Sequence, residues 1–244
     1  MNLAIVERPS PNFAERPAGV AVDTLVLHYT GMESGEAAVA RLCDTEARVS
    51  SHYVVDEAGG VLCLVGEERV AYHAGVSCWR GARSVNLRSV GIEIVNPGHD
   101  FGYPEFPPAQ MAAVAALCRE ILARHPIPAR NVVGHADVAP HRKQDPGEKF
   151  DWRGLARQGI GLWPEGVDGA ATGDADDGEV ALKPVRAALA LIGYEVAPAG
   201  GLDAPLGSVL RAFQRHWRGE AVTGLADRGT RARIEAVATL CAGG

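Results

Sequence analysis

The strongest constraint on how this chain folds is an alternation of short, β-branched apolar runs with longer helical stripes. "DTLVLHYT" (23–30), "SHYVVDEAGGVLCLVG" (51–66), "SVGIEIVN" (89–96) and "RNVVGH" (130–135) are apolar runs bounded by turn residues. They predict strands, the second one folding into a hairpin at Ala58-Gly59-Gly60. Between them, "GEAAVARLCDT" and "PPAQMAAVAALCREILARH" predict helices. In the longer one Met111, Val114, Ala115, Cys118, Ile121 and Leu122 fall on a single stripe that suits packing on a sheet. Pro107 and Pro108 stand at its start, where a missing N–H costs nothing. Nearly continuous apolar strands separated by helices predict an α/β fold with a mixed central sheet flanked by helices.

The composition breaks once, at "EGVDGAATGDADDGEV" (165–180), which is rich in Gly, Ala and Asp and has no apolar period. It reads as a linker between a first domain, 1–164, and a second, 181–244. The tail holds helical stretches near 179–193, 204–218 and 227–240, with Leu206, Val209, Leu210, Phe213 and Trp217 on one stripe of the middle one. These predict a small three-helix bundle.

A net charge of −6 argues against a broad surface for nucleic acid or anionic lipid. No run reaches the roughly 20 apolar residues that a membrane span needs. The start, "MNLAIVERPSPNF", has no basic segment and its apolar run stops at Glu7. The expected compartment is therefore the cytoplasm, or the cell envelope if a leader has been removed. Five scattered cysteines without a CxxC pair are expected to be reduced thiols, with Cys118 in the core. The oligomeric state is left open.

Two histidines occupy the same unusual place. His28 ends "TLVLH" and His135 ends "NVVGH", and in an open α/β sheet strand ends are where side chains leave the core and face a cleft. A lone histidine there is more often structural; two of them, one followed by an acidic loop, suggest a metal site. Asp137, His141 and Asp145 compete to complete it, although Asp-Pro-Gly is also a plain turn signal. Two imidazoles and one carboxylate would leave a fourth position on zinc for water, the layout of a hydrolytic site. Glu93 sits inside an apolar run, where a carboxylate is expensive unless used. Lys143 lies two residues before Asp145 and stays near it wherever that carboxylate goes. By spacing alone the reading stops at a zinc hydrolase.

The blocks "TLVLHYTG", "VSSHYVVDEAGGVLCLV", "AYHAGVSCWRG", "SVGIEIVNPG", "NVVGHADVAPHRKQDPGEKFDW" and "GIGLWP" resemble, in that order, the zinc-dependent N-acetylmuramoyl-L-alanine amidases of the AmpD/AmiD type. The resemblance spans nearly the whole first domain, and the tail is similar, more loosely, to a peptidoglycan-binding three-helix module. It implies that His28, His135 and Asp145 hold one zinc ion per chain. It implies that Glu93 is the base for the attacking water and carries its proton to the leaving amine, and that Lys143 hydrogen-bonds the oxyanion. The bond cut would join N-acetylmuramic acid, or its 1,6-anhydro form, to L-alanine of a stem peptide, in peptidoglycan or muropeptide fragments. His73, Trp79, Arg80 and Asn86 would line the substrate groove. His52 would support or pack near the site, and Asp137, His141 and Lys149 would shape the loop or face solvent. The rival is a peptidoglycan-recognition protein on the same fold that binds without cutting. Such relatives typically lose a metal ligand, and all three are present here.

Overall fold

The computed structural model describes residues 3–167 and 175–243, so the centre of the expected linker, 168–174, lies outside the described residues. The strands in chain order are β1 (Ile5–Glu7), β2 (Phe13–Glu15), β3 (Thr24–Tyr29), β4 (Tyr53–Val55), β5 (Val61–Cys63), β6 (Arg69–Ala71), β7 (Cys78–Trp79), β8 (Ala82–Arg83), β9 (Ser89–Ile94) and β10 (Val132–Gly134). The helices are α1 (Gly35–Leu42), α2 (Pro108–Arg124), α3 (His135–Val138), α4 (Trp152–Ala156), α5 (Glu179–Ile192), α6 (Ala204–Trp217) and α7 (Arg228–Gly243). Six strands form one mixed sheet in the order β1-β5-β4-β9-β3-β10, antiparallel only at β4–β5. Two short antiparallel ribbons, β2–β6 and β7–β8, flank it. No helix among the described residues is long and apolar enough to cross a membrane, and the five cysteines are free thiols.

The period of two along each strand sorts the sheet into two faces. Leu25 and Leu27 of β3 and Val90, Ile92 and Ile94 of β9 share a core with the α2 stripe, in which Val114, Ala115, Cys118 and Ile121 are buried and Met111 and Leu122 pack at the rim. The expected hairpin is β4–β5, pairing Tyr53 with Cys63 and Val55 with Val61. Its turn is tied by Asp56, whose carboxylate accepts from the Ala58 and Gly60 N–H groups at 2.9 and 2.7 Å. Gly59 there has φ +88°, and a Cβ would meet the Ala109 carbonyl oxygen at 2.8 Å.

The opposite face carries Val26 of β3 and Val133 of β10, and the tail covers it. A second apolar cluster joins these two, together with Trp79, Ala136 and Val138, to Leu189 and Ile192 of α5, Phe213 and Trp217 of α6 and Val237 of α7. Each large apolar side chain so buried contributes about 1.5–3 kcal/mol. The three helices are therefore packed directly on the sheet through a common core.

His52, just before β4, stitches two strands together. Its Nδ1 accepts from the Gly91 N–H at 3.0 Å and its Nε2 donates to the Arg69 carbonyl at 3.2 Å. Burial pushes its imidazole down to about 4.

Two predictions come from this packing. Phe213→Ala should cost about 3–5 kcal/mol. Because its cluster holds sheet and bundle residues alike, thermal unfolding should remain one transition at lower temperature; two separated transitions with only one shifted would contradict the common core. His52 in the folded state refuses a proton that the unfolded chain accepts near 6.5, so stability is lost as pH falls from about 6.5 towards 4. That loss is about 3 kcal/mol from this group, and denaturant melts across the interval should show a shallower slope for His52→Gln. Identical slopes would remove His52 from the pH response.

Candidate active site

Three adjacent parallel strands, β9, β3 and β10, end at the same edge of the sheet. His28 is the penultimate residue of β3, Glu93 lies directly beside it in register on β9, and His135 follows the last residue of β10. Asp145 reaches them from the loop after α3, where the Ala136 N–H donates to the Asp145 carbonyl at 2.9 Å. The close approach depends on Gly134, since a Cβ there would sit 2.7 Å from Pro146 Cδ.

The donor atoms of this trio converge. His28 Nδ1 and His135 Nδ1 are 2.9 Å apart, and Asp145 Oδ2 lies 3.1 and 3.0 Å from them. All three residues are buried, and among the described residues they form the one His/Cys/Asp/Glu group able to hold a metal ion. The outward nitrogens set the tautomers. The Ser89 hydroxyl donates to the Val85 carbonyl at 2.8 Å, which leaves its oxygen to accept from His73 Nε2 at 3.1 Å. His73 Nδ1 then accepts from His28 Nε2 at 3.0 Å, and His135 Nε2 donates to the Ala74 carbonyl at 3.2 Å. Both Nδ1 lone pairs therefore point inward, at the carboxylate and at each other. Three lone pairs so close repel unless a cation or proton lies among them. Bonds of about 2.0–2.1 Å in a tetrahedron give donor–donor edges of about 3.3 Å, near the spacing found, so the residues fit a zinc-sized ion.

The electrostatics follow from burial and proximity. Burial pushes His28 down to about 4, with His135 adding to the effect and Asp145 opposing it. Burial alone would raise the Asp145 carboxyl, but His135 and His28 hold it well below the usual carboxylate range. His73 is driven well below its ordinary value by burial and by its histidine neighbours. Its ring packs against Gly91, where a Cβ would come 2.5 Å from His73 Cγ. Only glycine leaves that room.

A cavity of about 350 Å³ is lined by His135 and Asp145 of the trio, and Glu93 and Lys143 are both in its wall. Glu93 Oε2 is sealed from solvent with no hydrogen-bond partner among the described residues. Burial first, then the charge of Asp145, raises this carboxyl well above the usual range, and Lys143 opposes the shift. Arg41 at the end of α1 borders the same cavity, which no sequence signal had suggested.

The expected groove residues are distributed differently. His73 borders the cavity and also holds His28. Trp79 is buried, donating from Nε1 to Asn131 Oδ1 at 3.3 Å, with its ring edge-on to Tyr194. Arg80 donates to the Leu191 and Ile192 carbonyls at the end of α5, at 3.0 and 2.8 Å. Asn86 accepts the Ala74 N–H at 2.7 Å and so holds the residue whose carbonyl receives His135. None of these last three borders the cavity. Asp137 is buried away from the trio against the C-terminal helices, Lys149 donates to the Tyr103 carbonyl at 2.6 Å, and His141 is exposed.

The chain is similar to known proteins in sequence and in fold. Residues 18–148 match the family described as N-acetylmuramoyl-L-alanine amidase. The chain is 39% identical over 230 residues to the N-acetylmuramoyl-L-alanine amidase AmiD of Escherichia coli K12, covering 88% of this chain and 82% of that protein. A solved complex of E. coli AmiD with the substrate anhydro-N-acetylmuramic acid-L-Ala-D-γ-Glu-L-Lys has a TM-score of 0.80 at 36% identity, over 94% of this chain and 98% of that one. The 1,6-anhydro-N-acetylmuramyl-L-alanine amidase AmpD of Salmonella typhimurium SL1344 is 34% identical over 162 residues, 59% of this chain and 84% of that protein. The chain belongs to the N-acetylmuramoyl-L-alanine amidase family.

Proposed function

We propose that this protein is a zinc-dependent amide hydrolase that separates N-acetylmuramic acid, or its 1,6-anhydro form, from the L-alanine of a peptidoglycan stem peptide. The observation that carries the reading is Glu93, a carboxylate with a sealed, unpartnered oxygen, in register beside His28 and in the wall of the cavity that His135 and Asp145 also line. A buried carboxylate without a partner is costly, and a base awaiting its substrate is the use that accounts for it. The anhydro-muramoyl peptide bound by the AmiD relative supports extending the substrate to recycled wall fragments.

His28, His135 and Asp145 would hold the ion. When bound, zinc supplies Lewis acidity to the amide carbonyl and makes water easier to deprotonate. Glu93 takes the proton from the attacking water and returns it to the alanine nitrogen as the C–N bond breaks. Burial raises its proton affinity, which favours taking up the water's proton. Lys143 donates to the carbonyl oxygen as that atom gains negative charge. His73 and the Ala74 carbonyl fix both imidazoles beforehand, so they need not reorient during turnover. For α5–α7 we propose a wall-binding role, on the strength of their sequence resemblance, alongside their packing on the sheet.

Purified protein should carry about one divalent ion per chain and release a peptide beginning with L-alanine from muropeptides. Glu93→Gln should keep the ion and lose about 10²–10⁴-fold in turnover, whereas His135→Ala should lose the ion itself. Metal release by Glu93→Gln, measured by elemental analysis, would exchange the roles of base and ligand. Bound but uncut muropeptide on metal-free wild-type protein would favour the recognition protein.

A further inference from the structure

Asp137 is 1% exposed, and each of its oxygens has a partner. Oδ2 accepts from the Gly134 N–H at 2.7 Å and faces His216 Nδ1 at 2.6 Å, while Oδ1 accepts from the Tyr194 hydroxyl at 2.5 Å. One of these donors is local; the other two are 57 and 79 residues further along the chain, Tyr194 just past the end of α5 and His216 on α6. The His216 ring is itself clamped, stacked 3.7 Å from Trp152 on one side and 3.9 Å from Trp217 on the other.

The same turn of α6 reaches the second arm of the site. Arg215 donates to Gln144 Oε1 at 3.3 Å and pairs with Glu148 at 3.6 Å, so it grips the loop on both sides of Asp145. His135 and Asp145 thus stand on two segments, 134–138 and 144–148, each held by adjacent residues of one helix. Tyr194 and His216 both lie beyond residues 18–148, the part that matches the family.

We propose that Tyr194 and His216 are positioning residues for the metal site: through Asp137 they fix the α3 turn that carries His135, so the C-terminal segment is part of the construction of the active centre. The physical reason is the cost of a buried carboxylate. With three donors Asp137 is stable in one place; with one removed it must turn to find another partner, and it is two residues from His135 on a helix of only four residues. A helix that short has a single i→i−4 hydrogen bond, from the Ala139 N–H to the His135 carbonyl, to resist the movement. The inference rests on His28, His135 and Asp145 being the metal-holding set.

The test is the affinity of the full-length chain for Zn²⁺ alone, measured by competition with a chromogenic chelator, with near-ultraviolet circular dichroism to confirm folding. His216→Ala should weaken Zn²⁺ binding about 10-fold or more, the scale found when groups that orient a ligand are removed. Tyr194→Phe, which removes a single hydroxyl and keeps the ring, should weaken it several-fold, and His216→Asn, which restores an N–H donor near the same position, should recover most of the loss. Val237→Ala, in the same apolar cluster but away from Asp137, should bind Zn²⁺ as the wild type does. If His216→Ala fails to fold, Tyr194→Phe decides alone. Folded variants that bind as tightly as wild type, or an equal loss in Val237→Ala, would overturn the proposal while leaving the metal assignment intact. A wild type that takes up no Zn²⁺ would overturn the metal assignment and this inference with it.

Discussion

The structure depends on an arrangement that is unfavourable by itself: two imidazole lone pairs and a carboxylate oxygen held within 3.1 Å of one another in a buried place. Left to relax, these groups would turn apart or take up a proton. Each is prevented from doing so by something behind it. The Ser89–His73 chain holds His28, the Ala74 carbonyl holds His135, and the backbone contact across Gly134 holds the loop of Asp145. Those supports stand in turn on the parallel trio β9, β3 and β10, whose two faces are closed by α2 and by the C-terminal helices.

Much of this could be read from the sequence because the relevant signals are local. Apolar runs ending in histidine placed His28 and His135 at strand ends, and a carboxylate inside "SVGIEIVN" marked Glu93 as costly. The α2 stripe and the β4–β5 hairpin followed from period and turn residues. Spacing could not choose between Asp137 and Asp145, since both lie within reach of His135 on the chain; the choice came from family resemblance. In space the two diverge, with Asp145 among the imidazoles and Asp137 facing Tyr194 and His216.

What escaped the sequence was set by partners far away. Strands β1, β2 and β6 have three residues each, and β7 and β8 two, too few for alternation to be visible. Trp79 and Arg80 look like an aromatic and a cation on an open loop. The end of α5, more than a hundred residues on, is what encloses them, and Arg80 hydrogen-bonds its final carbonyls. The tail was expected as a separate module after a linker, and nothing in its own helical stripes announces that Val26 and Val133 are waiting on the sheet to be covered.

The orientation of the two rings carries a further consequence. Both imidazoles turn Nδ1 inward, the nitrogen nearer the main chain, so each offers a short, stiff arm rather than a long one. The gap between the arms is then governed by the distance between neighbouring strands, roughly 4.8 Å across a sheet, which hydrogen bonding keeps nearly constant. The spread of the two nitrogens is therefore tied to backbone spacing at the strand ends as well as to the choice of side chains.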